Sequence, residues 1–168
     1  MRAGARSAAT IGVLCGLLVL GGLWGWSAVT APFPGKAAAP VCENRPVSKG
    51  DKIFPAQVVV SVYNAGSRFG LAGRTMELFT GQGFQEGDIA DAPGKSKVPF
   101  VQIWTPEPKN PAVQLVASRL AGPHSIVKRD APGAGVNVVV GDRFSKLVKG
   151  PRFIVARSDS EICSPPLD

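Results

Sequence analysis

The segment from Val58 to Phe84 constrains the fold more than any other part of the chain. It begins with six residues, Val58 to Tyr63, that are mostly β-branched or aromatic and therefore favour a buried strand. The turn-forming residues Asn64 to Ser67 interrupt this run. Residues suited to a buried helix face then recur at helical spacing, at Leu71, Thr75, Leu78 and Phe79. The segment predicts a strand, a glycine loop at its carboxyl end, and a helix.

Downstream patterns predict further strands and a second helix. An alternating stretch at residues 98–104 and a valine-rich stretch at residues 137–140 are typical of strands. Asn110 followed by Pro111 indicates a helix start, because asparagine caps free amides and proline suits the first turn. Weaker strands are expected at residues 84–90 and 125–128. The order predicts an α+β fold, a small split β-α-β sandwich (β-α-β-β-α-β) with both helices on one face of the sheet.

The amino-terminal segment has the composition of a membrane-spanning helix. No charged residue occurs from residue 8 to residue 29, and that length is sufficient to cross a bilayer as a helix. Two arginines and no acidic residue precede the run, so the positive-inside rule places residues 1–7 in the cytoplasm and the rest of the chain outside. We expect a single-pass transmembrane signal-anchor helix at 8–29. Cleavage as a signal peptide is the alternative, which Pro32 disfavours because it would follow the cut.

Beyond the apolar segment, composition divides the chain into three parts. Residues 30–55 are rich in proline and alanine without a sustained period, which predicts a stalk. Residues 56–150 form the predicted folded domain, and residues 151–168 the predicted carboxyl-terminal tail. Cys42 and Cys163 are the only cysteines outside the apolar segment, and an even pair in an oxidising compartment predicts a disulfide bond. Free or intermolecular thiols are the alternative.

Short motifs follow one another in a fixed order within the predicted domain. V-x-V-x-V-Y-N-A-G at 58–66 precedes G-L-A-x-x-T at 70–75 and G-F at 83–84, and V-V-V-G-D-R-F follows at 138–144. Together they resemble the LytR C-terminal domain family, over roughly residues 57–148. The resemblance implies a small extracytoplasmic α/β module, found behind catalytic LytR-type domains or alone behind a membrane helix, and this chain is similar to the second kind. It also implies a role in keeping a high-GC Gram-positive envelope intact.

Net charge narrows the choice of partners. Nineteen lysines and arginines against 12 acidic residues give a formal charge of +7. Omitting the two arginines before the apolar segment leaves about +5. This excess favours anionic partners such as the membrane surface, peptidoglycan or another anionic wall polymer. The basic residues are scattered along the chain, which argues against nucleic acid as a partner.

The loop after the first strand of the domain is the candidate binding site. Its amides lie at a helix start beside Arg68 and Arg74, a setting that suits a carboxylate or phosphate. The alternative is that its glycines only form a tight turn. Two aromatic rings offer faces for a sugar, although tryptophan in a strand is also typical of a core. The candidate binding residues are Tyr63, Asn64, Gly66, Arg68, Gly70, Arg74 and Trp104.

Catalytic and metal-binding patterns are not found in the sequence. His124, the only histidine, follows Gly-Pro and is expected at a surface turn. Glu86, Asp88 and Asp91 lack the spacing of a calcium loop and are expected on a solvated strand edge. We therefore expect a non-enzymatic protein without a cofactor or a metal site.

These features together predict a membrane-anchored extracytoplasmic protein that contributes to cell envelope and cell wall integrity. It would act by binding wall polymer or envelope proteins. The alternative is an accessory docking subunit for a cell-wall glycopolymer-transferring enzyme. An enzyme acting on wall material is a third reading, but it would require a pair of carboxylates at a loop mouth that the sequence does not display.

Overall fold

The computed structural model describes residues 3–30, 41–94 and 97–166, and within the first of these ranges it describes the side chains of residues 12–23, 25 and 26. The chain divides into two compact units, an amino-terminal unit and a folded module, with the boundary after Ala39. The first unit is the helix α1 (Ala3–Thr30). None of the helices in the described ranges is both long and apolar enough to cross a membrane. Residues 31–40 of the predicted stalk and the first two residues of the predicted cytoplasmic segment lie outside the described residues.

The described part of the module contains nine strands and two further helices. In chain order they are β1 (Glu43–Val47), β2 (Lys52–Ile53), β3 (Val59–Asn64), α2 (Leu71–Thr80), β4 (Gln85–Asp91), β5 (Val101–Thr105), α3 (Pro111–Ala117), β6 (His124–Lys128), β7 (Val136–Val140), β8 (Ile154–Val155) and β9 (Ser160–Ser164). A single 3-10 turn at Pro55–Gln57 leads into β3. The predicted α+β class is confirmed.

Five of the strands form the central sheet, in the order β4-β3-β7-β5-β6. Strand β3 runs parallel to both β4 and β7, and β5 runs parallel to β6 and antiparallel to β7. Helix α2 joins β3 to β4, and α3 joins β5 to β6, so each helix connects two strands that pair directly. The prediction of a split β-α-β arrangement is therefore wrong, because in a split unit another strand lies between the two. Connections this short favour adjacent strands.

Both helices pack on one face of the sheet, as their single apolar stripes predict. Their buried residues share one core with alternate residues of β3, β5 and β7. In α2 the stripe is centred on Ala72 and Phe79, so Met76 is buried while Leu78, at the edge of the stripe, is 40% exposed. The predicted place of Leu78 in the core is therefore wrong.

The opposite face of the sheet is covered by connecting segments rather than helices. Tyr63, Trp104 and Val139 form a second buried cluster there, together with Val98. Strand β5 begins only at Val101, three residues later than predicted, because the segment before it turns inward to cover this face.

The outer strands join the two ends of the module. Strand β1 pairs antiparallel with β9, and β2 pairs with β8. Residues 43–53 were predicted as stalk and residues 151–168 as tail, whereas the structure places strands in both. The predicted disulfide between Cys42 and Cys163 is confirmed, with 5.4 Å between the two Cα atoms. Local sequence patterns did not reveal β1, β2 and β9, because the partner strands lie more than 100 residues away.

Candidate functional site

The carboxyl ends of three parallel strands meet at one edge of the central sheet. Asn64 at the end of β3 lies opposite Asp91 of β4 on one side and Val140 of β7 on the other. In sheets with parallel strands, this edge is where loops gather and ligands commonly bind. The loop from Asn64 to Gly70, here called the glycine loop, leaves β3 at this edge and leads into α2.

A carboxylate of the protein itself is bound by the amides of the glycine loop. Asp142, two residues beyond β7, accepts hydrogen bonds from the amides of Ser67 at 2.8 Å and Arg68 at 3.1 Å through Oδ1. Its Oδ2 accepts the hydroxyl of Ser67 at 3.1 Å. The sequence predicted that these amides suit an anion, and the structure places Asp142 in that position.

The predicted polar residues of the loop hold it in one shape. The Arg68 guanidinium donates through Nη1 to the carbonyl oxygens of Asp142 and Phe144, at 2.9 and 3.1 Å. Asn64 donates from Nδ2 to the Arg68 carbonyl at 3.1 Å and accepts the Gly66 amide at 3.0 Å. Arg74 and the loop are joined by a bond from Nη2 to the Phe69 carbonyl at 2.8 Å. Both arginines are thus engaged in stabilising the loop.

Two glycines make this loop shape accessible. A Cβ atom on Gly66 would overlap the Asp142 carboxylate and lie 2.9 Å from the Asp142 backbone nitrogen. Gly70 caps α2 with φ of 69°, in the left-handed region that favours glycine. The turn interpretation of these glycines therefore has direct structural support.

The electrostatic environment favours the charged form of Asp142. Desolvation by itself would raise the pKa of this carboxyl. The hydrogen bonds from the Ser67 amide and hydroxyl and the Arg68 amide, together with the positive charge of Arg68, outweigh it and hold the pKa below the ordinary value of 3.8. Asp142 is therefore a charged internal partner of the loop at neutral pH.

The two aromatic residues predicted for sugar binding are buried. Trp104 is 1% exposed, lies beneath the Arg129 guanidinium at 3.8 Å from its ring centroid, and donates from Nε1 to Gln102. Tyr63 is 5% exposed, and its pKa is raised, first by desolvation and then by the charge of Asp88. Neither ring offers a free face to a sugar.

Phe69 is an exposed aromatic residue that no sequence pattern marked as a binding residue. Its side chain is 95% exposed at the tip of the glycine loop. Two clefts flank the loop, and Lys97 lines both of them. The available signal was that Phe69 falls outside the helical stripe and is followed directly by a capping glycine.

A second feature missed from the sequence is a run of basic residues after β7. From Arg143 to Arg157 there are five basic residues and no acidic residue, and all five are exposed: Arg143, Lys146, Lys149, Arg152 and Arg157. This run, here called the basic segment, corrects the description of the basic residues as scattered. Its backbone is fixed at Val148, whose amide donates to the Arg119 carbonyl at 2.8 Å and whose carbonyl accepts from Gln82.

Residues considered for catalysis or metal binding are spread over the module. His124 is exposed at the start of β6, with Nδ1 3.1 Å from the Gly122 carbonyl oxygen. Glu86, Asp88 and Asp91 are all exposed on the edge strand β4, as expected, and Asp88 also accepts the Ala134 amide at 3.2 Å. The described residues contain no group of three or more ligand side chains that could hold a metal ion.

Comparisons with known proteins agree with the motifs in the sequence. Residues 57–144 match the family model described as LytR cell envelope-related transcriptional attenuator. A solved structure, the soluble domain of a conserved hypothetical secreted protein from Mycobacterium marinum, is similar with a TM-score of 0.42 and 20% sequence identity, covering 62% of this chain and 79% of that chain. No curated protein matches the chain. The family match spans more than half of the chain and includes the glycine loop and Asp142, so the chain belongs to the LytR cell envelope-related transcriptional attenuator family.

Proposed function

We propose that this protein is a non-enzymatic, membrane-anchored extracytoplasmic protein that contributes to cell envelope integrity by binding anionic wall polymer. Its folded module would lie outside the membrane, and its amino-terminal helix would hold it there. The proposal combines three separate supports: the disulfide, the apolar segment and the basic segment.

The disulfide supports an extracytoplasmic location for the module. Cys42 and Cys163 are bonded beside the β1–β9 pair. Disulfides form and persist in oxidising compartments and are rare in the cytosol. The family name, which refers to the cell envelope, points in the same direction.

The amino-terminal sequence supports the membrane anchor. The 22 residues from Ala8 to Val29 carry no charge, and Arg2 and Arg6 precede them. A run of that length matches the thickness of the hydrocarbon core, and the preceding arginines favour a cytoplasmic amino terminus. Anchoring would keep the module near the membrane face of the wall.

The basic segment is the observation that carries polymer binding. Five exposed cations, with no acidic residue between them in sequence, lie on a segment whose backbone is bonded at Val148 to Gln82 and Arg119, which follow α2 and α3. Exposed charges of one sign attract an anionic polymer and release it as salt rises. A wall polymer that carries carboxylates or phosphates is a partner of this kind.

Retention of the full chain on purified wall sacculi, in mild detergent and over a range of salt, tests this function. We expect retention at low salt that declines as salt increases. A variant with Lys146→Glu, Lys149→Glu and Arg152→Glu should lose retention. The control Lys49→Glu, Lys109→Glu and Lys128→Glu removes the same number of exposed lysine or arginine charges elsewhere and should retain it.

Two outcomes would contradict the proposal. Absence of retention at low salt would exclude direct wall binding. Equal loss in the two charge variants would mean that only net charge matters and that the basic segment has no special role. Crosslinking in intact cells distinguishes direct wall binding from docking on an enzyme. One dominant protein adduct would indicate an accessory subunit of a glycopolymer-transferring enzyme.

A further inference from the structure

The glycine loop presents a single aromatic ring to solvent. Phe69 is 95% exposed, which is more than any other large hydrophobic residue whose exposure is described. By comparison, Leu78 on the neighbouring helix is 40% exposed and Phe54 is 43% exposed. A ring this accessible has both faces available for contact with a ligand.

The backbone that carries Phe69 is rigidly supported on both sides. The preceding residue, Arg68, donates its amide to Asp142 and its guanidinium to two carbonyl groups. The Phe69 carbonyl itself accepts a hydrogen bond from Arg74 at 2.8 Å. A ring on a fixed backbone loses less conformational freedom when a ligand binds than one on a mobile loop.

A cleft of about 560 Å³ opens beside this ring. Phe69, Lys97 and Asp91 all line it, so an aromatic face, an ammonium group and a carboxylate border one space. Both charged side chains are exposed, and within the described residues Lys97 has no hydrogen-bond or ion-pair partner. These three groups are free to meet a ligand, unlike Arg68 and Asp142.

We infer that Phe69, Lys97 and Asp91 form a subsite for an N-acylated amino sugar that carries a carboxylate. The ring would stack against the C–H face of the sugar, since aromatic side chains combine apolar area with a negative face. Lys97 would pair with the carboxylate, and Asp91 would accept the acylamide N–H or a hydroxyl. This inference rests on the proposed function and adds the class of sugar that the module recognises.

The chemistry of the cleft distinguishes this ligand from simpler ones. A bare phosphate or polyanion would use Lys97 but would be repelled by Asp91 and gain nothing from the ring. A neutral sugar would leave the Lys97 charge without a partner. An acylated amino sugar with a carboxylate uses all three groups, and a sugar of this type is a unit of peptidoglycan, one of the anionic wall polymers expected as partners.

Binding of two soluble disaccharides to the full chain in detergent tests the subsite. The acidic probe is N-acetylglucosamine linked to N-acetylmuramic acid, and the neutral probe is N,N′-diacetylchitobiose. We expect the acidic probe to bind roughly fivefold tighter. Phe69→Ala should weaken both by roughly tenfold, Lys97→Ala should remove only the preference for the acidic probe, and Leu78→Ala should change neither.

The outcomes separate this inference from the proposed function. Because the Phe69 side chain is 95% exposed, its removal should leave the module folded. Circular dichroism of each variant checks this. If Phe69→Ala binds the probes as the native chain does, the subsite is wrong, while retention on sacculi through the basic segment can still stand. If the native chain binds the neutral probe as tightly as the acidic one, the role of Lys97 is wrong. If the native chain is not retained on sacculi, the proposed function is wrong, whatever the result with the two disaccharides.

Discussion

The carboxylate of Asp142 binds Ser67 through two hydrogen bonds, one from its amide at 2.8 Å and one from its hydroxyl at 3.1 Å, although 75 residues separate the two. This contact joins the segment after β7 to the loop after β3. It gives the loop amides an internal anion, and it fixes the backbone that displays Phe69. Four predictions follow from this contact and from other contacts between distant parts of the module.

Asp142→Asn should lower stability at neutral pH and reduce its loss in acid. The folded-state pKa of Asp142 is lowered, so its contribution is present above the unfolded value of 3.8 and is lost as pH falls through the lower folded value. The check is the thermal midpoint measured from about pH 7 to about pH 2. Asp130→Asn, in the loop after β6 where the side chain is exposed, serves as control. Parallel curves for the native chain and Asp142→Asn would contradict the assignment.

Gly66→Ala should destabilise the module by about 1–3 kcal/mol, because the added methyl would overlap the Asp142 carboxylate. Gly73→Ala is the matched control within α2, where a Cβ would meet nothing within 4 Å. That change should stabilise by about 0.5–1 kcal/mol, as alanine is the better helix former. Chemical denaturation measures both. Similar free energies of unfolding for the two variants would show that Gly66 is not held against Asp142.

Tyr63 should ionise only above the ordinary tyrosine pKa of 10.0. Desolvation raises its pKa first, and the negative charge of Asp88 raises it further. Its contribution to stability is therefore present below the unfolded pKa and lost as pH rises through the higher folded value. Tyr63 is the only tyrosine, so the phenolate ultraviolet band reports it alone. Asp88→Asn should move the midpoint down, and a native midpoint at or below 10.0 would refute the prediction.

Reduction of the Cys42–Cys163 disulfide should lower the free energy of unfolding by up to about 4–5 kcal/mol, because the bond closes a loop with a sequence separation of 121. Hydrogen exchange should show β1 and β9 losing protection before β3, which lies inside the sheet. The Cys42→Ala and Cys163→Ala double variant should match the reduced protein. A change from dimer to monomer on reduction would instead indicate an intermolecular bond.

Features set by nearby residues were predicted well from the sequence. The strand at β3, the helix α2 and the Asn110 cap of α3 each depend on residues within one or two turns of each other. The Asn110 side chain accepts the Ala112 amide at 3.0 Å, as expected for a cap. Pairing of the two cysteines was also predictable, because only one pair lies outside the apolar segment.

Features set by distant contacts could not be predicted in this way. The residue that meets the loop amides, Asp142, lies 75 positions from Ser67, and no local pattern marks it as their partner. Trp104 and Phe69 are both aromatic, yet one is covered by Arg129 and the other is exposed. Which ring faces solvent depends on strand order and on loop placement, and the sequence offered neither. The same reason explains the missed pairing of β1 with β9.

The bond between Cys42 and Cys163 has a mechanical consequence for a tethered protein. A pull arriving along the chain ahead of Cys42 meets a covalent crosslink before it reaches the first strand. The force passes directly to the last strand, where β1 and β9 would be loaded together as one clamp. The crosslink lies at the end of the pair where the pull arrives, so it would oppose peeling of β1 from β9.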